Sequence, residues 1–176
     1  VIVLSKPGKL GKDINVLIPQ KSQYTTWLDG QKYITKMTIN SESKKLELSM
    51  KSPVEYWNGK KSLKIPKGSG VFCFYSQLIE CVRTTGFFSK ALSKRSGVMN
   101  FHIIWEGFPY FQDQYLGVAN QAISRAKFTY NGTSEEGLKR FSLEAANQVI
   151  MYHLNSNFDL SKQFWVSQEY SLLEKK

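Results

Sequence analysis

Two histidines, His102 and His153, two cysteines, Cys73 and Cys81, and the arginines Arg83, Arg95, Arg125 and Arg140 carry most of the reactive or recognition chemistry in this 176-residue chain. A hydrolase needs a Ser or Cys nucleophile bonded to a histidine that a carboxylate orients. Gly68-Ser69-Gly70 lacks the spacing of a nucleophile elbow, and a triad drawn through Ser76, His102 and Glu106 is arbitrary. The cysteines and histidines form no Cys-x-x-Cys or His-x-x-x-His pair, so no zinc site is expected. Gly68 and Gly70 lead into Val71 and Phe72 rather than Lys and Ser or Thr, which excludes a phosphate loop. The expectation is a chain with no catalytic residues, no metal and no cofactor. A protein that leans away from catalysis follows, although a fold alone does not forbid an activity.

Three smaller features carry a reading each. Cys73 and Cys81 lie eight residues apart in a stretch whose spacing predicts a helix. A helix separates them by about 12 Å at 1.5 Å per residue, so two free, buried thiols are expected and the compartment stays unread. Arg83, at the end of that apolar stretch, suits the negative helix terminus or, as an alternative, a carboxylate or phosphate headgroup at a pocket mouth. Glu135-Glu136 read as a solvated turn, and Asn131-Gly132-Thr133 matches a glycosylation acceptor that matters only in a eukaryotic secretory setting.

The elements that position these residues follow from periodicity. Residues 1–20, with Pro7-Gly8, Gly11 and Pro19 among lysines, read as an extended arm before a single domain spanning 21–176. Tyr24–Leu28 and Gln31–Ile39 flank Asp29-Gly30, which supplies the positive φ angles of a two-residue hairpin turn. Leu46, Leu48 and Met50 alternate with Lys45, Glu47 and Ser49, and Asn58-Gly59 marks another hairpin between Val54–Trp57 and Lys61–Ile65. Val71, Phe74, Tyr75, Leu78 and Val82 then fall on one helical stripe, with Ser69 as N-cap and Gly86 just past the C-terminus. After a polar link over Ser89–Gly97, strand alternation resumes at Met99–Trp105, a turn at Gly107-Phe108-Pro109 follows, and further strands run over Gln114–Asn120, Ala122–Tyr130, Leu138–Ala146, Val149–Asn155 and Lys162–Ser171. The fold class predicted is mainly β: a curved antiparallel sheet or half-barrel of about ten strands wrapped around one central helix.

Composition agrees with one folded core. The chain is 41% hydrophobic and 14% aromatic, which excludes disorder. No apolar run approaches the roughly 18 residues of a membrane span. It opens on Val1 rather than Met, and the expectation is a processed or truncated product, with any targeting segment removed from view. The net charge of +10 is uneven: residues 1–96 carry 17 Lys and Arg against 6 Asp and Glu, and residues 97–176 carry 7 against 8. Lysine dominates, so sequence-specific nucleic-acid reading, which draws on arginine, is disfavoured. A diffuse basic face remains compatible with simple solvation, with an anionic membrane or envelope surface, and with nonspecific nucleic acid.

The order of a strand meander, Gly68-Ser69-Gly70-Val71 into Tyr75-Ser76-Gln77-Leu78-Ile79 and Val82-Arg83-Thr84, then Met99–Glu106 and a late Phe164-Trp165-Val166-Ser167 strand, resembles a family of bacterial periplasmic proteins of unknown function. That family is similar in fold to the half-barrel of the lipoprotein carriers LolA and LolB. The resemblance covers roughly residues 25–171 and implies a periplasmic or envelope setting and an apolar concavity between sheet and helix. Phe72, Phe74, Tyr75, Leu78, Met99, Phe101, Ile103 and Trp105 are the candidate lining, with Arg83 at the mouth. Such a gap would hold a lipid or lipoprotein acyl chain, at about 0.8 kcal/mol per buried methylene.

Three functions stay open on these residues. The leading one is a non-enzymatic envelope protein binding a hydrophobic ligand. The second is a protein-interaction or structural module whose core is filled by those same side chains and whose partner meets a basic face or an exposed strand edge. The third is a nonspecific nucleic-acid binder using the basic first half.

Overall fold

A computed structural model describes residues 2–10, 14–28, 31–42, 45–51, 59–64, 70–105, 123–166 and 170–173. Extended chain dominates it. The strands are β1 (Ile2–Leu10), β2 (Ile14–Leu28), β3 (Gln31–Glu42), β4 (Lys45–Lys51), β5 (Gly59–Lys64), β6 (Phe72–Phe74), β7 (Val98–Ile104), β8 (Ile123–Thr133), β9 (Lys139–Ala145), β10 (Gln148–Leu154), β11 (Leu160–Trp165) and β12 (Tyr170–Leu173). Two short helices, α1 (Leu78–Thr84) and α2 (Phe87–Lys94), follow a 3-10 turn at Tyr75–Gln77. The strands form a five-stranded sheet in sequence order, β1 to β5, and an open seven-stranded sheet ordered β12-β11-β10-β9-β8-β7-β6. The mainly β expectation holds at this level. Neither sheet has the ten strands expected of a single layer.

The chain divides into two compact units, one of residues 1–77 with 104–123 and the other of residues 78–103 with 124–176. The sequence had suggested one domain after an arm. Residues 2–10 and 14–20 of that arm are instead paired strand, with Val3 opposite Ser22 and Leu10 opposite Ile14. In the first unit the alternation sets the hairpins. Leu28 stands opposite Gln31, which leaves the two-residue connection expected at Asp29-Gly30, itself outside the described residues. Lys32, Ile34, Lys36 and Thr38 line one exposed face of β3. The hairpin expected at Asn58-Gly59 is different: Gly59 is paired with Met50, so β5 pairs with β4, and the expected partner strand 54–57 lies outside the described residues. The strand expected at 114–120, the turn at 107–109 and the N-cap at Ser69 also lie outside them.

The single helix expected from Val71 onward does not form. Phe72, Cys73 and Phe74 are a strand, each fully buried. A short run buried on both faces has no strand period to display, and its aromatic residues satisfy a helical stripe by coincidence. Helix begins only at Leu78 and stops where expected: Gly86 adopts φ 70°, a left-handed conformation that glycine takes without a Cβ penalty, and its N–H donates to the Arg83 carbonyl at 3.1 Å. The chain then restarts as α2 where a polar link had been expected. Phe87, Phe88 and Ala91 bury its inner stripe, while Ser89, Lys90, Ser93 and Lys94 are exposed.

In the second unit the buried face of the sheet is set by register. Phe128 faces Leu143, Tyr130 faces Phe141, Tyr152 faces Phe141 from the other side, and Ile150 faces Trp165. Onto this face α2 lays Phe87 and Phe88. Phe88 meets Phe141 at a centroid distance of 5.1 Å and Phe128 at 6.3 Å, and Phe128 stacks on Phe141 at 5.3 Å with planes 9° apart. Such ring pairs add about 0.5–1.5 kcal/mol each beyond area burial. Gly97 allows the close approach, because a Cβ there would stand 3.0 Å from the Ala91 Cβ.

Candidate functional site

The eight residues expected to line a concavity fall four in each unit, Phe72, Phe74, Tyr75 and Trp105 in the first and Leu78, Met99, Phe101 and Ile103 in the second, which also holds Arg83, expected at the mouth. All but Tyr75, Met99 and Arg83 are buried. Within the first unit, Tyr75 and Trp105 meet ring to ring at 5.0 Å. Within the second, Leu78, Phe101 and Ile103 are buried, and the rings of Phe87 and Phe88 pack on Phe128 and Phe141. The space between α2 and its sheet is occupied by side chains of the chain itself.

Arg83 has a defined job. From the last turn of α1 its guanidinium donates to the Phe158 carbonyl at 3.0 Å and the Asn157 carbonyl at 3.4 Å, and pairs with Asp159 at 3.1 Å and Glu80 at 2.8 Å. Asn155 shapes the receiving turn, its Oδ1 accepting from the backbone N–H groups of Asn157 and Asp159, both at 2.9 Å. The guanidinium therefore fastens α1 to the β10–β11 turn. Its carboxylate partners among the described residues, Glu80 and Asp159, belong to its own chain.

The cysteines depart from expectation. Neither is free; both are disulfide-bonded, and with only two in the chain the bond joins Cys73 to Cys81. The helical separation that argued against this bond disappears because Cys73 sits in β6 and only Cys81 in α1. Among the described residues no group of His, Cys, Asp and Glu is placed to hold a metal, and no helix is long and apolar enough to cross a membrane.

A group that sequence reading passed over lies on the opposite face of the second unit's sheet. Arg140 on β9, His153 on β10 and Lys162 on β11 stand directly opposite one another across three strands. The Phe164 ring meets the His153 imidazole edge to face at 5.3 Å. Burial pushes the His153 pKa below its ordinary value, Lys162 and Arg140 push the same way, and Glu136 pushes back. Glu136 reaches Lys162 at 2.7 Å. The only sequence signal for this row is parity: each residue occupies the outward position of its strand, which becomes visible once register is known.

No family model matches the chain, and comparison with curated proteins and with solved structures gives no match either. The likeness to the lipoprotein carriers therefore rests on the short motifs quoted above.

Proposed function

We propose that this chain is a non-enzymatic binding module with a filled core, which meets its partner through its surface rather than storing a ligand between helix and sheet. The observation that carries this reading is the ring packing of Phe87 and Phe88 against Phe128 and Phe141. A core at this aromatic density leaves its side chains too little room to move apart for an acyl chain. The exposed side chains Val166, Leu172 and Leu173, at the β11 end and on the edge strand β12, support a surface role for that border of the sheet.

A cell-envelope or other oxidising setting belongs to the same proposal. Its support is the disulfide, since such bonds persist in oxidising compartments and are rare where thiols are kept reduced. The acyl-chain carrier implied by the resemblance is the competing reading, and titration with a fluorescent fatty acid separates the two. A filled core gives no saturable binding at micromolar concentration; stoichiometric, saturable binding overturns it and restores the carrier.

A further inference from the structure

Cationic side chains directly opposite one another on paired strands destabilise a sheet. Here three basic side chains, Arg140, His153 and Lys162, occupy one cross-strand row. The row is also incompletely satisfied. Arg140 Nε is buried without an acceptor, and the guanidinium pairs with no carboxylate among the described residues. By strand alternation Thr129 on β8 shares this face, paired with Ser142, and its buried Oγ1 also lacks a partner. A guanidinium can only donate, so a group that fits here is an acceptor, and the positive charge of Arg140 and Lys162 favours an anionic one.

We propose that Arg140, His153 and Lys162 form a binding site for a phosphate group. Arg140 supplies the forked donors that suit tetrahedral oxygens, Lys162 supplies a mobile point charge, and His153 adds a third donor when protonated. Among the described residues Glu136 is the acidic side chain acting on His153, and it holds Lys162 through an exposed pair of the kind worth no more than about 1 kcal/mol, so an arriving dianion displaces it readily. The site does not depend on whether the core is filled. Free phosphate and a lipid phosphomonoester headgroup present the same oxygens.

The test follows the His153 ring by NMR during pH titration of the full chain. Inorganic phosphate is compared with chloride at matched ionic strength, and His153→Gln identifies the signal. Bound phosphate favours the imidazolium, so the expected result is a rise in the His153 midpoint of about one pH unit over the chloride control. The rise is expected to be lost in Arg140→Gln and reduced in Lys162→Gln, with the His102 signal unchanged as a check on folding. Vesicles of phosphatidylcholine containing phosphatidic acid reproduce the rise if a headgroup enters the site, and leave free phosphate as the source if they do not. An equal rise in chloride, or a rise that survives both Arg140→Gln and Lys162→Gln, overturns the site.

Discussion

Phe158 lies flat on Phe88, with ring centroids 4.7 Å apart and planes 8° from parallel, although its backbone occupies the left-handed region at φ 62°. An L-residue held there is strained by about 1–2 kcal/mol. The stack and the Arg83 hydrogen bond to the Phe158 carbonyl hold it in place, so the β10–β11 turn is gripped by α1 through a charge and by α2 through a ring.

This relationship inverts the usual ranking of alanine and glycine. Phe158→Ala loses the ring and keeps the strain, a cost of about 2 kcal/mol. Phe158→Gly loses the same ring and is relieved of the strain, so it is expected to be more stable than the alanine variant by about 1 kcal/mol. Urea unfolding midpoints at unchanged slope decide it; equal midpoints show that φ 62° carries no penalty.

Gly97 makes a second point sensitive to a single methyl group. Its added Cβ would meet the Ala91 Cβ at 3.0 Å, Phe87 Cε2 at 3.2 Å and the Ala91 Cα at 3.3 Å, so α2 would have to lift from the sheet. Gly97→Ala is expected to lower stability by about 1–3 kcal/mol, read by thermal unfolding. Gly86→Ala tests a different mechanism, since no atom lies within 4 Å of its added Cβ and only the left-handed φ opposes it.

His153 sets a pH dependence in phosphate-free buffer. Its folded-state pKa is lowered, first by burial and then by Lys162 and Arg140. Between the folded and unfolded values the unfolded chain therefore binds more protons, so stability falls as pH drops through about 6.5 and this contribution levels off below the folded pKa. His153→Gln is expected to flatten that part of the stability profile. A profile unchanged by the substitution would remove His153 as its source.

The disulfide gives the simplest measurement. Iodoacetamide added to the denatured, unreduced chain is expected to leave its mass unchanged, and after reduction to add two carbamidomethyl groups. Closing a loop of this length stabilises a chain by roughly 2–3 kcal/mol in the chain-entropy picture, so reduction should lower the unfolding midpoint. Alkylation without reductant would show free thiols and withdraw the argument for an oxidising compartment.

The sequence by itself determined the strands in which burial alternates. Over Ala126, Phe128, Phe141, Leu143, Ile150 and Tyr152 the inward apolar residues recur with a period of two, and β8, β9 and β10 lie within a few residues of expectation. Gly86 was equally legible, because a left-handed helix end is a local demand on the backbone. Other features were decided only by tertiary structure. Phe72–Phe74 is a strand because both of its faces are buried, which erases the period that would announce it. The β9–β10 turn uses Ala146 and Asn147 at φ 49° and 59°, an unfavourable choice for Ala146 that the flanking ladder enforces. The Cys73–Cys81 bond and the Arg140–His153–Lys162 row both join residues through chain direction and strand register. Those are properties of the assembled sheet, since no local pattern states which residue of one strand will face which residue of the next.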